Sequence, residues 1–222
     1  MIKIARHFGL LLAAAALATA QESAPANPSV EIKTSMGSIV LELNKAKAPI
    51  TVENFLKYVE AKHYDGTVFH RVISDFMIQG GGFEKKGDQL VEKATNAPIK
   101  NEASNGLKNE NGTIAMARTS APDSATAQFF INVKDNSFLD HSPGNPGYAV
   151  FGKVVKGLEV VSQIKGVQTK VRELNSRLPS GQHRPMPSED VPVSDVVIES
   201  VRVIDAAAKA DAAEEKKAEE KK

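Results

Sequence analysis

Hydrophobic and polar residues alternate along the sequence SVEIKTSMGSIVLELN, which covers residues 29–44. Successive side chains of a β-strand point to opposite faces of the sheet, so this alternation predicts strands with one buried face. The pattern is interrupted at Gly37, where a turn fits. Beyond the turn, Ile39, Leu41 and Leu43 share one face of the second strand. The segment is therefore predicted to be a β-hairpin.

Two other segments have apolar residues at intervals of three and four positions, the spacing that places them on one face of an α-helix. The first segment follows Pro49, which suits the first turn of a helix, and the second precedes Gly166, which suits a helix end. The apolar positions are Val52, Phe55, Leu56 and Val59 in the first segment and Leu158, Val161 and Ile164 in the second. Two amphipathic helices are therefore predicted.

Six further short segments are rich in branched and aromatic residues and are separated by Gly, Asn, Asp or Pro, as strands are. They are GTVFHRVI, FMIQGG, GTIAMA, AQFFINV, YAVFGKVV and DVVIESVRVI. With the hairpin they make about eight strands, which favours a mainly β fold, either a closed barrel or a sandwich; two helices could cover the open ends of a barrel. Residues 168–192 contain four prolines and are predicted to be a long loop, which either shapes specificity or is passive.

The start of the chain has the features of a targeting segment. Lys3 and Arg6 precede an apolar run at residues 9–18, and small residues follow up to residue 20. A membrane-spanning helix needs about 20 apolar residues, roughly twice the length of this run. Residues 1–20 are therefore predicted to be a cleavable secretory signal peptide. No other apolar run is long enough to span a membrane, so no membrane span is predicted.

The remaining boundaries follow from composition. Residues 21–29 are small and polar with two prolines and are predicted to be a linker. Residues 30–205 are predicted to form one folded domain. Residues 206–222 hold Ala, Lys, Asp and Glu without a large apolar side chain, which favours a solvated helix or disordered tail over a segment with a specific binding role.

Charge and motif content exclude several function classes. The chain has a formal net charge of +1, which provides no long-range field to attract nucleic acid or an anionic membrane. The absence of cysteine together with predicted export fits a bacterial periplasm. Motifs of metal hydrolases and nucleotide-binding proteins are missing, and His63, His70 and His141 lack the spacing of metal ligands. No metal and no cofactor are predicted.

Four polar side chains interrupt otherwise apolar strand segments. They are Arg71, Gln79, Arg118 and Gln128. Strand alternation alone would send an isolated arginine to solvent, but four such residues favour an exposed groove with apolar walls and a few fixed donors. On a regular strand Phe69 and Ile73 would share the face of Arg71. Met77 and Gln79 would likewise share one face, which Phe76 can join only from a turn after residue 75.

The motifs FHRVISDFMIQGGGF, GTIAMARTSAPDSATAQFFINV, FLDH and YAVFGKVVKGLEVVSQIKGV, in this order, resemble the cyclophilin family of peptidyl-prolyl isomerases. The predicted domain is similar to the family over its whole length, and with its exported context it most resembles the bacterial periplasmic cyclophilins. The resemblance implies an eight-stranded antiparallel closed barrel capped by two α-helices. It also implies isomerisation of X-Pro bonds in unfolded or flexible exported polypeptides, by a monomer without a cofactor.

The same resemblance implies roles for individual residues. Catalytic positions are Arg71, Phe76 and Gln79. Substrate-binding positions are Met77, Ala117, Arg118, Thr119, Gln128, Phe130, Phe138, Leu139 and Tyr148. Two of these depart from the best-known eukaryotic members, because Phe138 replaces a tryptophan and Tyr148 replaces a histidine. The first replacement removes an indole N–H and implies weak cyclosporin binding.

Two other functions use the same sequence features. A chaperone that binds peptides in the groove without catalysis would need the apolar walls but not Arg71. A structural module would act through residues 206–222. Because the arginine, aromatic and glutamine positions are all present, the isomerase is the preferred hypothesis.

Overall fold

The computed structural model describes residues 27–204, and the predicted signal peptide and tail lie outside the described residues. These residues form eleven β-strands and two α-helices. The strands of the first half are β1 (Ser29–Thr34), β2 (Gly37–Leu43), β3 (Thr67–Ile73), β4 (Met77–Lys86), β5 (Gln89–Glu92) and β6 (Thr113–Met116). Those of the second half are β7 (Phe129–Asn132), β8 (Val150–Lys156), β9 (Thr169–Arg177), β10 (His183–Pro192) and β11 (Ile198–Ile204). The helices are α1 (Pro49–Glu60) and α2 (Leu158–Lys165).

Eight of the strands form a closed antiparallel barrel. Seven successive pairings join them in the order β3-β4-β7-β6-β8-β2-β1-β11. The ring closes between β11 and β3, where the Gly66 N–H donates to the Ile198 carbonyl at 2.9 Å and the Phe69 N–H donates to the Val196 carbonyl at 3.0 Å. The predicted hairpin is the β1–β2 pair, and the predicted barrel is confirmed. Strand β1 begins one residue before the predicted domain start.

The barrel interior follows from the alternation seen in the sequence. In the hairpin, Ile32 pairs with Ile39 and Val30 with Leu41, and all four side chains are fully buried. Phe55 of α1 completes this core, with its ring centroid 5.8 Å from that of Phe129 and 5.3 Å from that of Phe151. Burial of apolar surface in this single cluster is the main force that holds the strands together.

Both predicted helices are present and each buries one face. Pro49 stands in the first turn of α1, and Gly166 follows the last residue of α2. In α2 the buried residues are Val160, Val161 and Ile164, whereas Leu158 at the start of the helix is 50% exposed. None of the helices within residues 27–204 is long and apolar enough to cross a membrane.

The predicted loop at residues 168–192 is wrong, because most of it forms the β9–β10 hairpin. Strand β9 also pairs in parallel with β5, and β5 pairs with β4, so these three strands extend the sheet beyond the barrel. The hairpin is anchored by a second apolar cluster, which joins it to β3, β4 and β5. That cluster consists of Val68, Phe83, Leu90, Leu174 and Val191.

Prolines misled the interpretation because proline is rare in strands. Strand β10 lies at the open end of the strand order, however, and only its β9 side needs backbone donors. Pro185 and Pro187 are two residues apart, so their backbone nitrogens point to the same side of β10. Both nitrogens, which carry no hydrogen, can therefore face away from β9. Proline is tolerated at such an edge, where it also discourages pairing with another chain.

Candidate active site

A groove lies on the outer face of the barrel, on the side opposite the core. Along β4, β6, β7 and β8 the alternate residues Ile78, Ile114, Ile131 and Phe151 belong to the main core, and their strand neighbours face outward. We call the outward cluster the apolar groove. Its buried members are Met77, Ala115, Phe130, Leu139 and Val150, and its partly buried members are Ile73, Phe76, Leu107, Ala117 and Tyr148. Six predicted site residues are therefore in one cluster.

Phe76 and Phe138 form the rim of the groove. Their rings stack with centroids 5.5 Å apart and planes 27° from parallel, although Phe138 is 64% exposed. Phe76 lies in the turn that links β3 to β4, closed by its N–H donating to the Ile73 carbonyl at 3.0 Å. The expectation that Phe76 joins the groove from a turn after residue 75 is confirmed.

The Phe76 backbone is held by a buried polar side chain that the sequence interpretation missed. Asn136 is fully buried and donates to the Phe76 carbonyl at 2.8 Å and to the Asn132 side-chain oxygen at 2.7 Å. Asn132 in turn donates to Asn109 and Thr113. These asparagines fix the turn carrying Phe76 against the segment that carries Phe138. The sequence signal was present as the asparagines of KNE, INV and DNS, but turns use the same residue type.

Arg118 and Tyr148 form the opposite side of the groove. The Arg118 guanidinium carbon lies 4.3 Å from the centroid of the Tyr148 ring, within cation–π range. Arg118 Nε also donates to the Gly147 carbonyl at 3.0 Å, and Nη1 donates to the Thr119 carbonyl at 2.9 Å. The Tyr148 ring meets Phe130 edge-on at 5.8 Å. Arg118 therefore holds Tyr148 against the floor of the groove.

Arg71 reaches solvent beside this groove because β3 is irregular. The register against β4 shifts between Phe69 and Arg71, so Phe69 points into the barrel and is fully buried while the Arg71 side chain is 44% exposed. The expectation that Phe69 shares the face of Arg71 is wrong, since it assumed a regular strand. A β-bulge of this kind redirects a side chain and is common next to functional sites.

The β9–β10 hairpin brings an acidic residue to Arg71. Asp190 Oδ2 lies 4.0 Å from Arg71 Nε, and both side chains are partly exposed. Asp190 occupies an irregularity of β10 with a positive φ of 59°, and the next residue, Val191, is fully buried in the cluster that anchors the hairpin. Nothing in the sequence indicated this contact, because the segment lies far from residue 71 along the chain.

The two predicted glutamines contact each other and a third residue. Gln79 Nε2 donates to Gln128 Oε1 at 2.9 Å, and Gln128 Nε2 donates to Glu92 Oε1 at 3.3 Å. Gly82 makes room for them, because a Cβ atom on this glycine would lie 2.6 Å from Gln128 Cδ. At least one of the three glycines at the end of FHRVISDFMIQGGG therefore serves the internal packing of the site.

His70 and His63 are buried and electrically neutral near pH 7. Burial lowers the pKa of each imidazole to about 4, and in His70 the positive charge of Arg71 works in the same direction. His70 packs against Phe83 with ring centroids 4.7 Å apart and also interacts with the side chain of Gln128. Within residues 27–204 no group of three or more acidic, histidine or cysteine side chains is placed to hold a metal ion.

Comparison with known proteins places this architecture in one family. The family model described as cyclophilin type peptidyl-prolyl cis-trans isomerase/CLD matches residues 29–203. A peptidyl-prolyl cis-trans isomerase of Streptomyces antibioticus, cyp18, is 59% identical over 179 residues, which is 79% of this chain and 98% of that protein. Peptidyl-prolyl cis-trans isomerase B of Escherichia coli is 54% identical over 177 residues, which is 78% of this chain and 98% of that protein.

Solved structures support the fold independently. A crystal structure of a cyclophilin type peptidyl-prolyl cis-trans isomerase from Cryptosporidium parvum superimposes with a TM-score of 0.59 at 24% sequence identity. The match covers 81% of this chain and 98% of that chain.

Proposed function

The chain belongs to the family of cyclophilin-type peptidyl-prolyl cis-trans isomerases and has that activity, and from this premise we propose that Arg71 supplies the main catalytic interaction. The observation that carries the proposal is a partly exposed guanidinium beside the apolar groove, opposite Gln79 on the paired strand. Phe130, Met77 and Leu139 form the floor that receives the ring. Phe76 and Phe138 bound it from the rim.

The isomerisation needs a hydrogen-bond donor to the prolyl nitrogen more than it needs a general acid or a general base. Rotation about the X-Pro bond has a barrier of about 18–20 kcal/mol because amide resonance is lost at the perpendicular geometry. The prolyl nitrogen then becomes pyramidal and gains a lone pair that the planar amide does not offer. A hydrogen bond to that nitrogen stabilises the transition state and not the ground state, which is the condition for raising the rate.

Arg71 is suited to this task since its guanidinium is charged at every relevant pH and presents several donors in one plane. One charge-assisted hydrogen bond contributes about 1.5–3 kcal/mol. Turnover of about 10 to 1000 per second from an uncatalysed time of roughly 10–100 s requires about 3–7 kcal/mol. The groove supplies the rest by excluding water from the amide and by holding the ring while the preceding carbonyl turns.

Arg118, Ala117, Thr119 and Gln128 bind the peptide on either side of the proline in this proposal. Arg118 uses Nε and Nη1 for backbone carbonyls and packs on the Tyr148 ring, so it fixes this wall and has only its remaining guanidinium donors to offer the peptide. The substrates are proline-containing unfolded or flexible polypeptides. A chaperone function without catalysis would use the same apolar groove but would not depend on the Arg71 donor.

The experiment is NMR exchange spectroscopy on an Ala-Pro peptide with the wild type and the Arg71→Ala variant. We expect catalysed exchange to fall by at least tenfold while the fold is retained, because the removed side chain is largely outside the core. Arg184→Ala is the matched control, since Arg184 is an exposed arginine of β10 outside the groove. Undiminished exchange in the Arg71 variant would remove this residue from the mechanism, and peptide binding without acceleration by the wild type would favour the chaperone.

Export to a bacterial periplasm is the second part of the proposal. Its support is the N-terminal sequence, in which basic residues precede an apolar run at residues 9–18 and small residues end at residue 20. Expression of the full chain in a Gram-negative bacterium should place a protein that starts at Gln21 in the periplasmic fraction. Intact-mass analysis that finds the uncleaved chain in the cytoplasm would contradict this.

A further inference from the structure

Glu92 lies at the end of a hydrogen-bonded row of side chains that leads to Arg71. The row runs from Glu92 to Gln128 at 3.3 Å and from Gln128 to Gln79 at 2.9 Å. Gln79 is the cross-strand partner of Arg71, and directly opposed residues of an antiparallel pair have their side chains on the same face. The carboxylate is therefore two amides away from the guanidinium that we propose to be catalytic.

The chemistry at the two ends fixes the direction of every amide in the row. An ionised carboxylate only accepts hydrogen bonds, and a guanidinium only donates them. Glu92 therefore requires Gln128 to turn its NH2 group toward the carboxylate, which turns Gln128 Oε1 toward Gln79. Gln79 must then donate its NH2 group to Gln128, and this leaves Gln79 Oε1 free to accept from Arg71 or from a substrate N–H.

Glu92 is itself held by the β9–β10 hairpin. The backbone N–H of Arg177 donates to Glu92 Oε2 at 2.7 Å, and His183 Nε2 donates to the Glu92 backbone carbonyl at 2.8 Å. One carboxylate oxygen is thus occupied by the hairpin and the other by Gln128. Gly82 packs directly against the Gln128 side chain, because only a residue without a side chain leaves space for Gln128 at this point.

We propose that Glu92 is a positioning residue of the isomerase, whose carboxylate orients the amides of Gln128 and Gln79 so that Gln79 presents its oxygen to Arg71. This inference rests on the proposed role of Arg71. The β9–β10 hairpin is then part of the catalytic apparatus, since it holds the carboxylate that sets the direction of the row. Glu92 touches neither substrate nor the reacting bond in this proposal.

The substitution that tests the proposal is Glu92→Gln, which preserves size but can donate or accept. The direction of the row is then no longer imposed, so we expect kcat for an Ala-Pro peptide to fall about fivefold, as for loss of one oriented hydrogen bond, with KM nearly unchanged. Glu92→Asp retains an acceptor-only group and should restore part of the loss. Glu173→Gln is the matched control, because it removes an exposed carboxylate of β9.

A double-mutant cycle separates positioning from a structural effect. Because Glu92 acts through Gln79, the Glu92→Gln change should have no further effect on kcat in a Gln79→Ala background. The side-chain NH2 signals of Gln79 and Gln128 should also shift in the Glu92→Gln variant, as followed in a ¹⁵N correlation spectrum. An unchanged kcat in Glu92→Gln would overturn the proposal, as would equal losses in Glu173→Gln or additive losses in the cycle. None of these outcomes depends on whether Arg71→Ala is inactive, so the two proposals fail separately.

Discussion

Burial of His70 makes the stability of the protein depend on pH below neutrality. The folded-state pKa is about 4, because burial and the charge of Arg71 disfavour the imidazolium, whereas the ordinary pKa of a histidine side chain is 6.5. The folded pKa is thus depressed, so the stabilising effect of the neutral imidazole is fully present above pH 6.5. It is lost as the pH falls toward 4, since the unfolded chain takes up a proton that the folded protein does not.

The size of this effect follows from the two pKa values. One pKa unit corresponds to about 1.4 kcal/mol, and linkage with 6.5 and about 4 gives a loss of about 1 kcal/mol at pH 5.5 and about 2–3 kcal/mol at pH 4.5. For a domain of this size such a loss is a large part of an ordinary unfolding free energy of about 5–15 kcal/mol.

The assay is urea unfolding of the wild type and the His70→Gln variant at pH 7.0, 5.5 and 4.5. Carboxylates and His63 titrate in both proteins, so the difference between the two unfolding free energies isolates His70. We expect that difference to shrink by about 2–3 kcal/mol between pH 7.0 and 4.5, because the variant has no imidazole to protonate. Parallel curves for His70→Gln and the wild type would refute a depressed pKa at His70.

Two further substitutions test the account of the groove. Gly82→Ala should lower kcat about fivefold by displacing Gln128, with a small change in stability because the displaced side chain is flexible. Gly81→Ala should instead destabilise the fold by about 2–4 kcal/mol. At this position φ is 83° and the added Cβ would lie 2.9 Å from the rings of Phe129 and Tyr64. Enzyme assays and urea unfolding distinguish the two, and an unchanged kcat in Gly82→Ala would contradict the first. Phe138→Trp restores an indole N–H at the exposed rim and should tighten cyclosporin inhibition about tenfold, the equivalent of one hydrogen bond. A submicromolar inhibition constant for the wild type would contradict the predicted weak binding.

Local patterns of apolar and polar residues were sufficient to predict most strands of the barrel. Alternation at residues 29–44 predicts which side chains enter the core, because a half-buried strand requires apolar residues at every second position. The same alternation implied that Phe76 could reach the groove only from a turn after residue 75. These features depend on neighbouring residues, and the structure confirms them.

Features that depend on distant contacts could not be predicted in this way. The bulge that separates Phe69 from Arg71 leaves no mark in a sequence that reads as a continuous strand. The β9–β10 hairpin looked like a loop because the tolerance of Pro185 and Pro187 depends on β10 being an edge strand. Glu92 has no local signal at all, since its importance arises from contacts with residues 36 and 85 positions away.

The central claim is that Arg71 stabilises the twisted amide and not the planar one. One sample of the Arg71→Ala variant tests this directly by NMR, from the dissociation constant of an Ala-Pro peptide and from the exchange rate of the bound peptide at saturation. We expect a dissociation constant within about threefold of the wild type and an exchange rate lowered about 10- to 150-fold, the equivalent of one charge-assisted hydrogen bond made only in the transition state. A loss of peptide binding with an unchanged rate for the bound peptide would contradict it.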